Sequence, residues 1–168
     1  MSSETSAVRE VLARYCAGDG LDIGYGGDPI VPAAICFDLP ARYGKVGDSP
    51  QHLHGDCRAL PFQSNTLDYV YSSHLLEDFT YDSQVAVLGE WARVVRHKGL
   101  IIICCPDQQR FKAHCQATGQ CLNSIHKEPD FSMQKFLEKV LPRVAVLTVI
   151  ASRDNVGPYS WWCMLQKG

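Results

Sequence analysis

The sequence has no apolar run near the ~20 residues that a membrane-spanning helix needs. It has no surplus of positive charge either: 16 Lys and Arg stand against 18 Asp and Glu, a formal net charge of -2. Bulk binding to a phosphate backbone usually carries a basic surplus, so a nucleic-acid partner is disfavoured and no membrane partner is expected. The N-terminus has no basic stretch followed by an apolar run, so the expectation is no secretory signal and a cytoplasmic, reducing location. There the eight cysteines are expected to stay thiols, with Cys36, Cys104 and Cys105 packed as small hydrophobes inside apolar runs. No internal repeat and no linker interrupts the 168 residues, which predicts a single domain over 1–168. A hydrophobic share of 46% argues against a disordered chain.

Apolar segments alternate with amphipathic ones. Val8, Val11, Leu12 and Tyr15 share helical spacing over residues 6–16. Short apolar strands are expected at 21–23, 33–37, 51–54 and 67–72, and a continuous one at 100–105. Residues 84–96 form an amphipathic helix that Gly99 is expected to close. Residues 39–50 read as loop, 108–130 as polar and irregular with some helix, and 132–141 as a helix capped by Ser132. The last two strands are expected at 144–151 and 159–165. This alternation predicts an α/β fold with a mostly parallel sheet and an antiparallel edge.

In open parallel sheets, ligands bind beyond the carboxyl ends of the strands. The residues that follow the expected strands are Gly24, Gly26 and Gly27, then Asp38, Asp56, Ser73 and His74, and Pro106 with Asp107. Glycines admit a ligand close to the backbone, and an acidic residue after strand two accepts from a ribose diol. Together they describe a nucleoside-type pocket. A dinucleotide site wants G-x-G-x-x-G, with a helix N-terminus for the pyrophosphate. Here Pro29 stands where the third glycine belongs, Asp38 arrives early, and Pro29 and Pro32 leave no room for a full first crossover helix. A nicotinamide oxidoreductase is therefore disfavoured, and a nucleoside ligand without phosphate fits better.

The segments 21–29 (LDIGYGGDP), 37–39 (FDL), 55–62 (GDCRALPF), 67–77 (LDYVYSSHLLE) and 90–99 (EWARVVRHKG) resemble, in order and spacing, the class I S-adenosylmethionine-dependent methyltransferases, in particular the methyltransferase type 11 group. The resemblance implies a Rossmann-like sheet of order 3-2-1-4-5-7-6, its last strand antiparallel, with flanking helices and a shortened first crossover. It implies S-adenosylmethionine as cofactor and methyl transfer to a small-molecule substrate. Gly24 and Gly26 would pass under the methionine part, and Asp22 would brace that loop. Asp38 would bind the ribose, and Asp56 and the Cys57 N–H would meet the adenine. Ser73 and His74 would border the cofactor and the substrate opening, and Tyr25 and Leu39, in the first and second of these segments, would also be cofactor-binding. Asp28 departs from the pattern, standing where many members carry a third glycine, and the segment before strand one is short.

A methyl acceptor that carries a proton needs a general base. His74 is the first candidate, His126 the second and Asp107 the third. His74 could equally cap a helix, and Asp107 could be a cap or turn former. His114, Cys115, Cys121 and His126 form a Cys/His cluster whose Cys–Cys gap is too wide for a zinc knuckle, so no metal is expected. Trp161 and Trp162 alternate faces on a strand, so at least one is expected to be packed, and an exposed one would mark either a homodimer surface or a solvated edge. The short N-terminal cover predicts an open pocket, closed by residues 108–130 or by a second subunit. The alternative function is a non-catalytic module that keeps the methyltransferase fold for binding or assembly.

Overall fold

In the computed structural model, residues 3–40, 46–120 and 122–168 are described. Residues 41–45 of the loop expected over 39–50, and Cys121, lie outside them. Seven strands build one sheet: β1 (Gly20–Ile23), β2 (Ile35–Asp38), β3 (Leu53–His54), β4 (Leu67–Ser73), β5 (Val95–Pro106), β6 (Leu147–Val156) and β7 (Ser160–Lys167). Their order is β3-β2-β1-β4-β5-β7-β6. The first five run parallel, and β7 is antiparallel to both β5 and β6. This is the order and sense expected.

Alternation along the central strands divides the core into two layers. In β5, Ile101, Ile103 and Cys105 pack on one face, with Trp91, Phe136 and Trp161. Ile102 and Cys104 pack on the other, with Leu12, Tyr71 and Trp162. Trp161 and Trp162 are thus both buried, so neither is an exposed tryptophan that would mark a dimer surface or a solvated edge. Trp162 covers the face on which α1 (Glu4–Leu12) lies, instead of facing water. Residues 101–105 are fully buried at the sheet centre, as their apolar run predicts.

Several boundaries differ from the sequence reading: β5 begins at Val95 and β6 begins and ends later than expected, and two further differences have local causes. The second helix, α2 (Tyr81–Val94), begins earlier, with Thr80 accepting from the Ser83 N–H as its cap. It ends directly in β5, so Gly99 is a strand residue and not a C-terminal glycine. The turn chemistry belongs instead to Lys98 at φ 61°. A Cβ on Gly99 would sit 2.8 Å from the Asp68 carbonyl oxygen, so the glycine serves close packing. The second difference is in 108–130, which contains a regular helix, α3 (Gln108–Thr118), ended by Gly119 at φ 70°. After it, Ser132 caps a short α4 (Met133–Lys135), which continues into a wider π turn and a 3-10 turn as far as Arg143. Between β1 and β2 there are only turns, so the first crossover is short as expected.

Candidate active site

A cavity of about 640 Å³ opens at the carboxyl ends of β1, β2 and β4. That volume is within the ordinary range for small-molecule sites. Gly24, Tyr25, Gly26, Asp38, Leu39, Asp56, Cys57, Ser73 and His74 all line it. Residues spread from Gly24 to His74 along the chain are therefore brought to one wall by the parallel register alone.

The glycine loop leaves β1 through three left-handed residues: Gly24 (φ 69°), Gly26 (φ 61°) and Gly27 (φ 95°). A Cβ on Gly27 would stand 2.0 Å from the Gly47 carbonyl oxygen, so no other residue fits there. Cβ atoms on Gly24 and Gly26 would crowd Leu75 and Val46, each at 3.2 Å. Leu75 and Val46 are themselves cavity wall, so the two glycines keep ligand space open. Asp22 lies behind the loop, fully buried, and its Oδ2 accepts from the Ile30 N–H at 2.6 Å. Burial pushes its carboxyl well above the usual carboxylate range. This bond ties the Asp22 carboxyl in β1 to the residue that follows the glycine loop and Pro29.

Asp28 has a different task from a third glycine. Its carboxylate pairs with Arg9 at 2.6 Å and accepts from the Ser3 hydroxyl. Although burial opposes it, Arg9 and Ser3 hold Asp28 below its ordinary range. The pair draws the start of α1 against the loop, and Ser3, Glu4 and Thr5 become cavity wall. The short N-terminal segment therefore covers the pocket more than its length suggests. Asn123 and Ile125, from the segment expected to act as a lid, contribute as well.

The other side is set by the turn after β3. The Trp91 indole donates to the Cys57 carbonyl at 3.1 Å, and Glu90 accepts from the Leu60 N–H at 2.7 Å. Arg93 donates to the Leu60 and Phe62 carbonyls, so α2 grips the turn that carries Asp56 and Cys57. Burial raises the Cys57 thiol to about 12, which keeps it protonated. Asp56 is already engaged: the Arg58 guanidinium binds both its oxygens at 2.6–3.0 Å, and the Arg58 N–H adds a bond of 2.9 Å. Arg58 holds this carboxyl below its usual range. The same guanidinium lies 6.0 Å from the centre of the Phe79 ring, and both side chains line the cavity. Asp38, at the end of β2, accepts from the Leu39 N–H at 2.8 Å and faces the cavity.

The base candidates separate. His74 lines the cavity, and burial lowers its pKa while Glu4 opposes the shift. His126 stands behind that wall, its side chain 4% exposed, and burial lowers it to about 4. Asp107 is the N-cap of α3, accepting from the Gln109 and Arg110 N–H groups, and it is not part of the wall. Glu4 and Arg58 are wall residues that sequence reasoning missed. For Glu4 there was no local signal, because a tertiary contact of α1 brings it in. Arg58 sat in view two residues after Asp56, the spacing that permits their fork. Among the described residues no cluster of His, Cys, Asp and Glu could hold a metal. The seven described cysteines are all buried. No helix of the described residues is long and apolar enough to cross a membrane.

The methyltransferase domain family model matches residues 21–103. No curated protein sequence matches the chain. Among solved structures, the chain is similar to the PH0226 protein from Pyrococcus horikoshii OT3, with TM-score 0.68 and 17% identity over 97% of this chain and 89% of that one. It is also similar to a SAM-dependent methyltransferase from Aquifex aeolicus, with TM-score 0.63 and 12% identity over 97% and 93%. A third is the magnesium protoporphyrin IX methyltransferase from Synechocystis PCC 6803, solved with bound SAH, with TM-score 0.64 and 12% identity over 98% and 82%. At these identities the likeness is one of fold. The sheet order and the glycine loop under a cavity agree with the matched segment, and residues 21–103, just under half of the chain, are similar to the methyltransferase domain family.

Proposed function

We propose that this chain, acting as a single domain, binds S-adenosylmethionine in the cavity at the strand ends and transfers its methyl group to a small-molecule acceptor. The observation that carries the reading is the convergence of Gly24, Gly26, Asp38, Asp56 and His74 on one cavity of about 640 Å³. A bound cofactor supplies an activated methyl group, so the protein's task is mainly to hold the acceptor in line with it. Gly24 and Gly26 leave room for the methionine part. Asp38 takes the ribose hydroxyls. Asp56 and the Cys57 N–H meet the adenine, with the Arg58 guanidinium and Phe79 ring beside it. Ser73 and His74 face the acceptor. The near-neutral charge of the chain favours a small acceptor over a long nucleic acid.

One observation favours a second reading, a binding module without catalysis: Arg58 already fills the carboxylate of Asp56. Calorimetry separates the two. The methyltransferase reading expects binding heat with S-adenosylmethionine and with its demethylated product, and none with NAD. Asp38→Ala is expected to weaken that binding by about 1.5–3 kcal/mol, the size of hydrogen bonds to a charged group. No binding of either sulfur ligand would favour the module, and binding of NAD in their place would overturn the cofactor assignment.

A further inference from the structure

A polar cluster lies at the end of β4, on the edge of the cavity. His74 stands in the left-handed region at φ 54°. For a non-glycine residue this costs on the order of 1 kcal/mol or more, and such strain gathers at functional sites. The His74 N–H donates to the Cys104 carbonyl at 2.8 Å, which fixes the residue between β4 and β5. Its two ring nitrogens face different surroundings. Nε2 lies 3.1 Å from Ser160 Oγ and 3.6 Å from Oε2 of Glu4, which is cavity wall. Nδ1 lies 3.5 Å from Oε1 of Glu77. Glu77 is only 1% exposed and stands outside the cavity wall. The same Oε1 is 3.9 Å from His126 Nε2, while His126 Nδ1 is held 2.7 Å from Gln108 Oε1. A buried carboxylate is costly unless it is paired, and besides the two histidines this one has the Cys105 thiol as a donor.

We propose that Glu77 is the positioning residue of the site: it holds Nδ1–H of His74, so that Nε2 keeps its lone pair on the cavity side and takes a proton from the methyl acceptor. The proton leaves the acceptor and bonds to Nε2, and the resulting imidazolium lies between the carboxylates of Glu77 and Glu4. The acceptor is then a nucleophile that must surrender a proton, such as a hydroxyl or an ammonium group, and not a thioether or a carboxylate. This rests on the methyltransferase reading for its meaning, although the state of His74 does not depend on it. Burial pushes Glu77 up and His74 down, with Glu4 opposing the shift of His74. The other titratable groups around the pair are Glu4 from α1, Cys104 and Cys105 from β5, Asp78 next in the chain, Tyr159 ahead of β7, and His126.

Nitrogen-15 spectra of the imidazoles, recorded on the full chain without ligand, test the proposal. On the basic limb of the titration, at about pH 8 and above, wild-type His74 is expected to carry its proton on Nδ1. Glu77→Leu is expected to shift His74 toward the Nε2–H form and to lower its midpoint by about one pH unit, as loss of an adjacent opposite charge does. Glu77→Gln keeps the shape of the side chain and serves if the leucine variant does not fold; it should lower the midpoint in the same way. Nε2–H in the wild type would overturn the proposal. So would a tautomer and midpoint unchanged in both variants. A protein that shows the Nδ1–H form but binds no S-adenosylmethionine would contradict the proposed function and leave the role of Glu77 standing.

Discussion

His126 illustrates how one buried side chain couples structure to pH. Its unfolded value is the ordinary 6.5, and burial lowers it to about 4 in the fold. Between those values the unfolded chain binds the proton and the folded chain does not. The stability that His126 contributes is therefore fully present above pH 6.5 and is lost as the pH falls toward 4. The loss is on the order of 3–4 kcal/mol, because each tenfold drop in proton affinity is worth about 1.4 kcal/mol. Glu77 titrates in the opposite sense, because its folded value is raised, so the whole-protein profile mixes the two. Urea melts of the wild type and of His126→Gln at matched pH isolate the histidine. The variant is expected to lose less stability than the wild type over this window. Parallel profiles would remove His126 from the acid sensitivity of the fold.

At the scale of elements, the site depends on how helices grip loops. The helix α2 holds the Asp56–Cys57 turn through Trp91, Glu90 and Arg93. The helix α1 is drawn over the cavity by the Asp28 pair with Arg9 and by the Ser3 hydroxyl. The helix α3 starts at Asp107, whose carboxylate satisfies two N–H groups that would otherwise lack partners. Asp107→Ala is expected to cost about 1 kcal/mol of stability in denaturant unfolding and to leave cofactor affinity unchanged. A large loss of affinity with stability intact would make Asp107 a site residue after all. The sequence pattern showed β5 plainly, because an apolar run flanked by turn residues has few other readings. It hid α3, whose surface is mostly polar: only Gln108 and Cys115 of its eleven residues are buried. It misplaced the end of α2, because Gly99 looks like a helix stop while its close approach to the Asp68 carbonyl is a tertiary fact.

Across the whole molecule, the parallel sheet turns distant sequence motifs into one wall. The glycine loop, Asp38, Asp56 and His74 were legible because each follows a strand, and topology alone collects strand ends. Glu4 and Glu77 were not. Glu4 reaches the cavity only through the packing of α1, and Glu77 matters only because the left-handed turn at His74 sets its ring against that carboxylate. Asp28 looked like a defect in the glycine pattern and is instead the anchor of the N-terminal cover. The account stands on the cavity at the strand ends being the cofactor site. A crystal structure grown with S-adenosylhomocysteine tests this most directly. The account predicts the ribose hydroxyls within hydrogen-bond distance of Asp38, the amino-acid tail over Gly24 and Gly26, and the sulfur facing His74. A ligand bound elsewhere on the chain, or lying in this cavity without contact to Asp38, would contradict it.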